Sequence, residues 1–270
     1  MRNTRFNPLS RLAAAAFLAL ASAACDVHAA SGDLDPAFGN GGKLAIDFVN
    51  SSSMPDYSEA NAIARDGAGN VYIVGDAAPD GIRSIAIAKV DAHGNPVATF
   101  GTCGKSVIGA ADFMYGTAAA RDSTGNLFVI GGSRSGAALG VSVTKIDSNG
   151  HAVTNFGTGG SAFIDLHSST HNGTVAIAVD STGDIYAAGN TDSAGTRDML
   201  VARLDSAGQR VAGFGDAGKV LVDFSGRADV VAALVLDGAG HLVLAGESDD
   251  TATGASDMSH AFMSSATTRV

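Results

Sequence analysis

The sequence predicts an all-β fold, a β-propeller of four repeats of about 57 residues, each a four-stranded antiparallel blade. Three observations predict it. Phe-Gly recurs at Phe38-Gly39, Phe100-Gly101, Phe156-Gly157 and Phe214-Gly215, with steps of 62, 56 and 58 residues. A second motif, Asp-x-x-Gly, recurs in step at Asp66, Asp122, Asp180 and Asp237, each followed by an apolar run that ends on Gly75, Gly131, Gly189 or Gly246. Residues 31–270 show strand-type patterning with no helical periodicity. A repeat of this length made of short strands is the signature of blades stacked around an axis.

Within one repeat the strands can be justified in order. Val220, Val222 and Phe224 alternate after Lys219, which is the pattern of a half-buried strand. Residues 230–236 and 242–245 are continuous apolar runs, and residues 199–204 close the third copy. Asp-x-x-Gly between two such runs places a hydrogen-bonding Asp at the first turn position and Gly where a positive φ is needed, so it reads as the tight hairpin between second and third strands. The same chemistry follows the last strand at Asp91, Asp147 and Asp205, after Lys89, Lys145 and Arg203. Alanines at 64, 88, 120, 178 and 202 sit inside strands, where small side chains allow sheets to stack closely, and there is no Trp. The copies run over about 33–95, 96–151, 152–209 and 210–270, forming one domain over residues 31–270. A closed four-bladed ring is the first expectation. An open array, or a larger assembly made by oligomerisation, is the alternative, because no strand is clearly exchanged between the ends.

Residues 1–30 stand apart. Arg2, Arg5 and Arg11 precede an apolar run over residues 12–24 and then small residues, which is the layout of an export signal. The run is too short for a membrane-spanning helix, which needs about 20 apolar residues. Cleavage after Ala29 or Ala30 fits the small-residue rule; the alternative is a lipoprotein signal ending at Cys25, with a lipid anchor there. The expected location is periplasmic or extracellular, or lipid-anchored in the outer membrane. Cys25 and Cys103 are the only cysteines, so loss or lipidation of the first leaves no intrachain disulfide. Cys103 takes the turn position held by Gly41, Gly159 and Ala217 in the other copies.

The whole chain carries 17 basic and 27 acidic residues, and removing residues 1–30 takes away three Arg and one Asp. The mature charge is therefore about −12, which disfavours binding to phosphate backbones and excludes nucleic acid as the expected partner.

The segments Leu34-Asp-Pro-Ala-Phe38-Gly-Asn-Gly-Gly42-Lys43 and Phe214-Gly-Asp-Ala-Gly218-Lys219-Val-Leu-Val-Asp223-Phe224, together with the Asp-x-x-Gly turns and the Lys/Arg-x-Asp strand ends, resemble the delta-60 repeat. The resemblance covers residues 33 to about 263. It implies a propeller-like fold and a bacterial, exported protein, with no activity general to the family. The chain departs from the pattern at Gly109, where the other copies have Asp47, Asp165 and Asp223, and in the last copy, where Phe262 and Ser264 replace the basic residue and the Asp. The last copy is accordingly expected to be eroded or truncated.

Catalytic constellations are mostly rejected. Gly104-Lys105-Ser106 resembles the end of a phosphate-binding loop, but Thr99 stands where its first Gly belongs and no helix follows. His167 and His171 have i,i+4 spacing in a polar loop without the helix and Glu of a zinc-protease motif. No Gly-x-Ser-x-Gly elbow occurs, so no catalytic residue is assigned. A site is expected to break repeat symmetry, and the two asymmetric segments, residues 50–59 and 167–172, both follow the first strand of a repeat. The one candidate metal set is Asp47, Asp165 and Asp223, which a shared strand position would arrange symmetrically about the axis. If they face the channel they can hold a divalent cation through oxygen ligands; if they cap backbone amides they are structural, and no cofactor is needed. The expected function is a non-catalytic exported module that binds a protein, glycan or cell-surface ligand through loops at one end of the ring. The alternatives are a metal-dependent propeller enzyme of lyase or lactonase type, and a fragment of a longer repeat array.

Overall fold

A computed structural model describes residues 32–48, 57–78, 82–109, 115–167, 175–192, 195–250 and 253–264. The export segment with Cys25, and most of the two asymmetric segments including His171, lie outside the described residues. Among the described residues there are fifteen strands and no helix. They are β1 (Ser58–Arg65), β2 (Val71–Ala77), β3 (Ser84–Val90), β4 (Lys105–Ile108), β5 (Ala118–Arg121), β6 (Leu127–Ser135), β7 (Ala138–Ile146) and β8 (Ser161–Asp165). Then follow β9 (Ala176–Val179), β10 (Ile185–Thr191), β11 (Asp198–Leu204), β12 (Lys219–Val222), β13 (Ala228–Leu236), β14 (His241–Asp250) and β15 (Ala255–Ser264). All pairing is between sequence neighbours and antiparallel. The sheets are β1-β2-β3-β4, β5-β6-β7-β8, β9-β10-β11-β12 and β13-β14-β15.

The phase of the repeat differs from the expectation by one strand. The short strand after each Phe-Gly ends the current sheet rather than opening the next, as β12 does against β11 with Leu221 opposite Leu200. The Asp-x-x-Gly hairpins consequently join the first and second strands of each sheet, not the second and third. The reason lies in the Phe-Gly turn. It folds the chain back on itself, with Gly104 N bonded to Phe100 O at 2.9 Å and Lys89 N to Gly104 O at 2.8 Å. The Phe ring then packs into its own sheet. Phe100, Phe156 and Phe214 are buried and lie edge-on to Tyr72, Phe128 and Tyr186, with ring centroids 5.6, 5.8 and 5.9 Å apart.

The Gly of each Phe-Gly points the other way. Gly101 N donates to Asn149 O at 2.7 Å and Gly157 N to Ala207 O at 2.8 Å, so these two turns are tied to the Asp-x-x-Gly turn that follows the third strand of the next sheet. Gly39 N makes the same bond to His93 O at 2.8 Å. The sheets stack face to face, with β1 against β5, β5 against β9 and β9 against β13. These first strands form the inner edge, and β4, β8 and β12 are outermost. The apolar layers between sheets hold the core, for example Ile87 and Val129 between the first two sheets. No comparable contact joins β13 back to β1 among the described residues.

The last sheet has three strands among the described residues, and its sequence departures are visible. β15 is a full ten-residue strand despite the lost Lys/Arg-x-Asp signature. In the other sheets Lys89, Lys145 and Arg203 hold their charge over the second-strand ring, at 4.7, 5.3 and 5.5 Å from the centroid of Tyr72, Phe128 and Tyr186. Phe262 replaces that cation and stacks on His241 at 4.7 Å. The far face of this sheet is open. Met258 occupies the position of Met199 and is 97% exposed where Met199 is buried.

The recurrent turn aspartates are consumed by their own backbone. Asp66 Oδ1 accepts from Ala68 N and Asn70 N, and its Oδ2 accepts from Asn70 Nδ2 and lies 3.2 Å from Lys89 Nζ. Burial alone would raise this carboxyl, but the Asn70 bonds and the Lys89 charge outweigh it and lower it from 3.8 to about 2. A carboxyl lowered by folding stabilises above its unfolded value, and that contribution disappears as pH falls toward the folded one. Asp66→Asn should therefore cost stability at pH 7, and its deficit against wild type should vanish between about pH 4 and pH 2 in denaturant titrations.

The glycines that close the second-strand runs answer to sterics. A Cβ on Gly131 would overlap the Tyr115 carbonyl oxygen, and one on Gly75 would overlap that of Glu59, where β1 carries a bulge. A Cβ on Gly238, in the hairpin between β13 and β14, would meet nothing within 4 Å, and Ser123 and Ser181 already stand at that position. Gly131→Ala is expected to lose roughly 3 kcal/mol or more, as overpacking against backbone does, whereas Gly238→Ala stays within about 1 kcal/mol of wild type. Urea unfolding of the two variants measures the contrast.

Candidate metal centre between the third and fourth sheets

Antiparallel order gives the stack two unlike ends. One end carries the four Asp-x-x-Gly hairpins and the Phe-Gly turns, and is the regular end. The other carries the hairpins between second and third strands and the crossings from each outer strand to the next inner strand. The residues that break the repeat collect at this second end. Arg83 lies there between Tyr57 and Tyr115, 4.9 and 5.1 Å from the ring centroids, with Nε bonded to buried Asp76 at 2.6 Å. Burial pushes the Tyr115 hydroxyl up.

The crossing from β12 to β13 brings three carboxylates together. Asp198 begins β11, Asp223 follows β12 and Asp229 is the second residue of β13. One oxygen from each lies within 4.8 Å of the others. The backbone explains the convergence. Met199 pairs with Val222, so the positions beside them, Asp198 and Asp223, are neighbours. The chain then reverses through Ser225 and Gly226, both at positive φ, with Gly226 N bonded to Asp223 Oδ1 at 2.7 Å. Asp229 N donates to Arg197 O at 2.6 Å, which sets β13 beside the start of β11. Close by, Asn190 Oδ1 accepts from Val231 N at 2.9 Å and ties the two sheets again.

Asp198 and Asp229 are buried and Asp223 is exposed. Asp229 Oδ2 accepts from Phe224 N at 2.7 Å, while its Oδ1 is buried without a hydrogen-bond partner. Burial, followed by the charges of Asp223 and Asp229, raises the carboxyl of Asp198. The polar contact of Asp198 with Thr196 Oγ1 is long, at 3.4 Å. A site of three hard oxygen donors with one unsatisfied oxygen suits a hard divalent cation and offers nothing to soft metals.

The sequence-derived set Asp47, Asp165 and Asp223 is not brought together. The three occupy equivalent positions after the Phe-Gly turns of the first, third and fourth copies, away from the inner edge, with Gly109 in the second. Asp47 lies in the segment 44–48, outside any named strand, and its carbonyl accepts from Lys105 Nζ. Asp165 ends β8, accepts from His167 N at 2.8 Å and has its carbonyl bonded to Lys219 Nζ at 3.0 Å. His167 Nδ1 stands 3.3 Å from Asp165 Oδ2. Cys103 is an exposed turn residue at φ 52°, matching Gly41, Gly159 and Ala217 at 60°, 62° and 48°. Sequence reasoning missed Asp198 and Asp229. The available signal was partly broken symmetry: Ser84 and Gly140 stand in the place of Asp198 in the first two copies, although Asp257 repeats it in the fourth, and Ser58 stands in that of Asp229.

No family model matches the chain, and no curated protein matches it. Among solved structures it is similar to an endo-arabinase from Bacteroides thetaiotaomicron, at 13% identity over 81% of this chain and 78% of that one, with a TM-score of 0.40. It is also similar to extracellular domains 1–2 of Drosophila Semaphorin 1b, at 11% identity over 77% of this chain and 66% of that one, with a TM-score of 0.32. Among the described residues no helix is long and apolar enough to cross a membrane. The strand order and the series of stacked sheets define the class, an all-β protein of β-propeller-like architecture.

Three carboxylates held this close repel each other when all are ionised. In chelator at pH 7, Asp198→Asn should therefore melt at a higher temperature than the wild type, because the amide keeps the shape and removes one charge. A lower melting temperature under those conditions would contradict the electrostatic account.

Proposed function

We propose that this chain is an exported, non-catalytic interaction module of β-propeller type, which takes a protein, glycan or other cell-surface ligand at the end of the stack that carries the crossings. The observation that carries this reading is the inequality of the two ends. At the regular end the aspartates are occupied with turn geometry, as in the pairs Asp122–Asn126 and Asp237–His241. At the other end the repeat is abandoned in favour of an arginine flanked by tyrosines and a group of acidic residues. Loops on a regular scaffold are where binding residues concentrate, and Tyr and Arg are the side chains that dominate contact energetics. The export half of the reading rests on Arg2, Arg5, Arg11 and the apolar run over residues 12–24, and the resemblance to the delta-60 repeat supports the same location.

The test immobilises the chain from residue 31 and probes it with a panel of cell-envelope polysaccharides and surface proteins. Saturable binding is expected, weakened about tenfold or more by Tyr57→Ala and unchanged by Ser123→Ala at the regular end. Chemical turnover of a panel polysaccharide would overturn the non-catalytic reading in favour of the lyase-type alternative. Fractionation of cells making the full chain should recover a product starting near residue 30 outside the cytoplasm, and retention of the uncut chain inside would remove the export claim.

A further inference from the structure

We propose that Asp198, Asp223 and Asp229 form a binding site for one hard divalent cation, calcium in the first instance, which clamps the fourth sheet to the third. Two independent observations carry it. The first is the convergence of three carboxylates at a single crossing, one oxygen of each within 4.8 Å of the others. The second is an unmet acceptor, Asp229 Oδ1, buried without a hydrogen-bond partner on a residue with no exposed surface. A buried carboxylate oxygen left unsatisfied costs free energy that a bound ion removes. Ser248, which pairs with Asp229 across β13 and β14, also buries its Oγ without a partner. Two unmet oxygens therefore occupy paired positions of the sheet.

The site breaks the repeat, and no other described crossing gathers three such groups. Gly109 stands in the place of Asp223 after β4, and Gly140 in the place of Asp198 at the second sheet, so recurrence of the fold does not account for the set. Solvent reaches the crossing. An open pocket of about 420 Å³ adjoins it, lined in part by Phe224, Ser225, Arg227 and Ser248. The nearby cation Arg227 is engaged with Asp257 at 2.6 Å, and Arg197 contributes its carbonyl to Asp229 N. Calcium suits the set because it accepts irregular geometry with mono- or bidentate carboxylates and waters, whereas magnesium demands a near-octahedral shell.

The experiment uses the chain from residue 31, stripped with chelator and dialysed, with calcium chloride or magnesium chloride titrated by calorimetry and by thermal melting. One calcium per chain is expected, with a melting temperature that climbs as calcium is added, as ligand linkage requires. Asp223→Asn, an exposed change that leaves the core alone, should weaken binding at least roughly tenfold. Asp198→Asn should abolish the calcium-dependent rise in melting temperature, and Asp165→Asn should leave it intact. No bound ion would overturn the site, as would binding unchanged in both Asp223→Asn and Asp198→Asn. Magnesium bound in preference to calcium would overturn the choice of ion. Should Asp229→Asn fail to fold, the other two variants still decide the outcome.

Discussion

Each of the first three sheets of this molecule is held together at its outer edge by one edge-to-face aromatic pair, and the rest of the architecture follows from it. Phe100, Phe156 and Phe214 pin the turn before the outer strand to the ring on the second strand, while the amides of Gly101 and Gly157 reach the next sheet. Such pairs contribute about 0.5–1.5 kcal/mol beyond the area they bury, and here the pair also directs the backbone. With Phe anchored inward, the outer strand has to run back along its own sheet. The chain can then leave only at the opposite end, so every crossing falls there. The unlike ends of the stack, and the carboxylate group at the last crossing, are consequences of that anchoring.

Much of this was legible in the sequence because the repeat exposes it. Spacing alone showed the number of units, the strand content and the turns, and each Asp-x-x-Gly forms the hairpin its chemistry demands. The phase was not legible. A strand between two turns can pair with its predecessor or its successor, and the alternation of Val220, Val222 and Phe224 is satisfied by either choice. What decides is the partner of the Phe ring, an aromatic residue at Tyr72, Phe128 and Tyr186 whose recurrence is visible only when the second strands are compared. The same offset explains why Asp47, Asp165 and Asp223 lie at outer positions instead of around an axis.

Asp198 and Asp229 were hidden for a different reason. Each is one isolated carboxylate at the start of a strand, without a motif, and the pair meets only through an antiparallel register and a reversed crossing. Repetition draws attention to what recurs, and what recurs here serves the fold. The useful residue-level signal is the opposite one: a position where some copies use Ser or Gly and another places a buried charge, as Asp198 does against Ser84 and Gly140. Burying that charge costs several kcal/mol unless something compensates, so a buried Asp that replaces Gly140's counterpart asks for a partner.

The fourth sheet shows how these constraints combine. It has lost the cation over its second strand, Val243 stands where the other sheets carry an aromatic ring, and its far face bears Val235, Met258 and Phe262 in the open. Its hold on the third sheet rests on the apolar layer that includes Val231, Leu242 and Leu244, on two backbone amides, Asp229 N and Val231 N, and on whatever neutralises Asp198, Asp223 and Asp229. One-sided packing gives this sheet less apolar stabilisation than the second and third sheets, which have a neighbouring sheet on each face. Its orientation is correspondingly more sensitive to electrostatics at the crossing. Like charges there push β11 and β13 apart, whereas a single divalent ion draws both strands to the Asp223 turn. The point of weakest hydrophobic restraint and the point of densest negative charge thus coincide, which makes the last crossing the place where the geometry of the stack responds to its ionic surroundings.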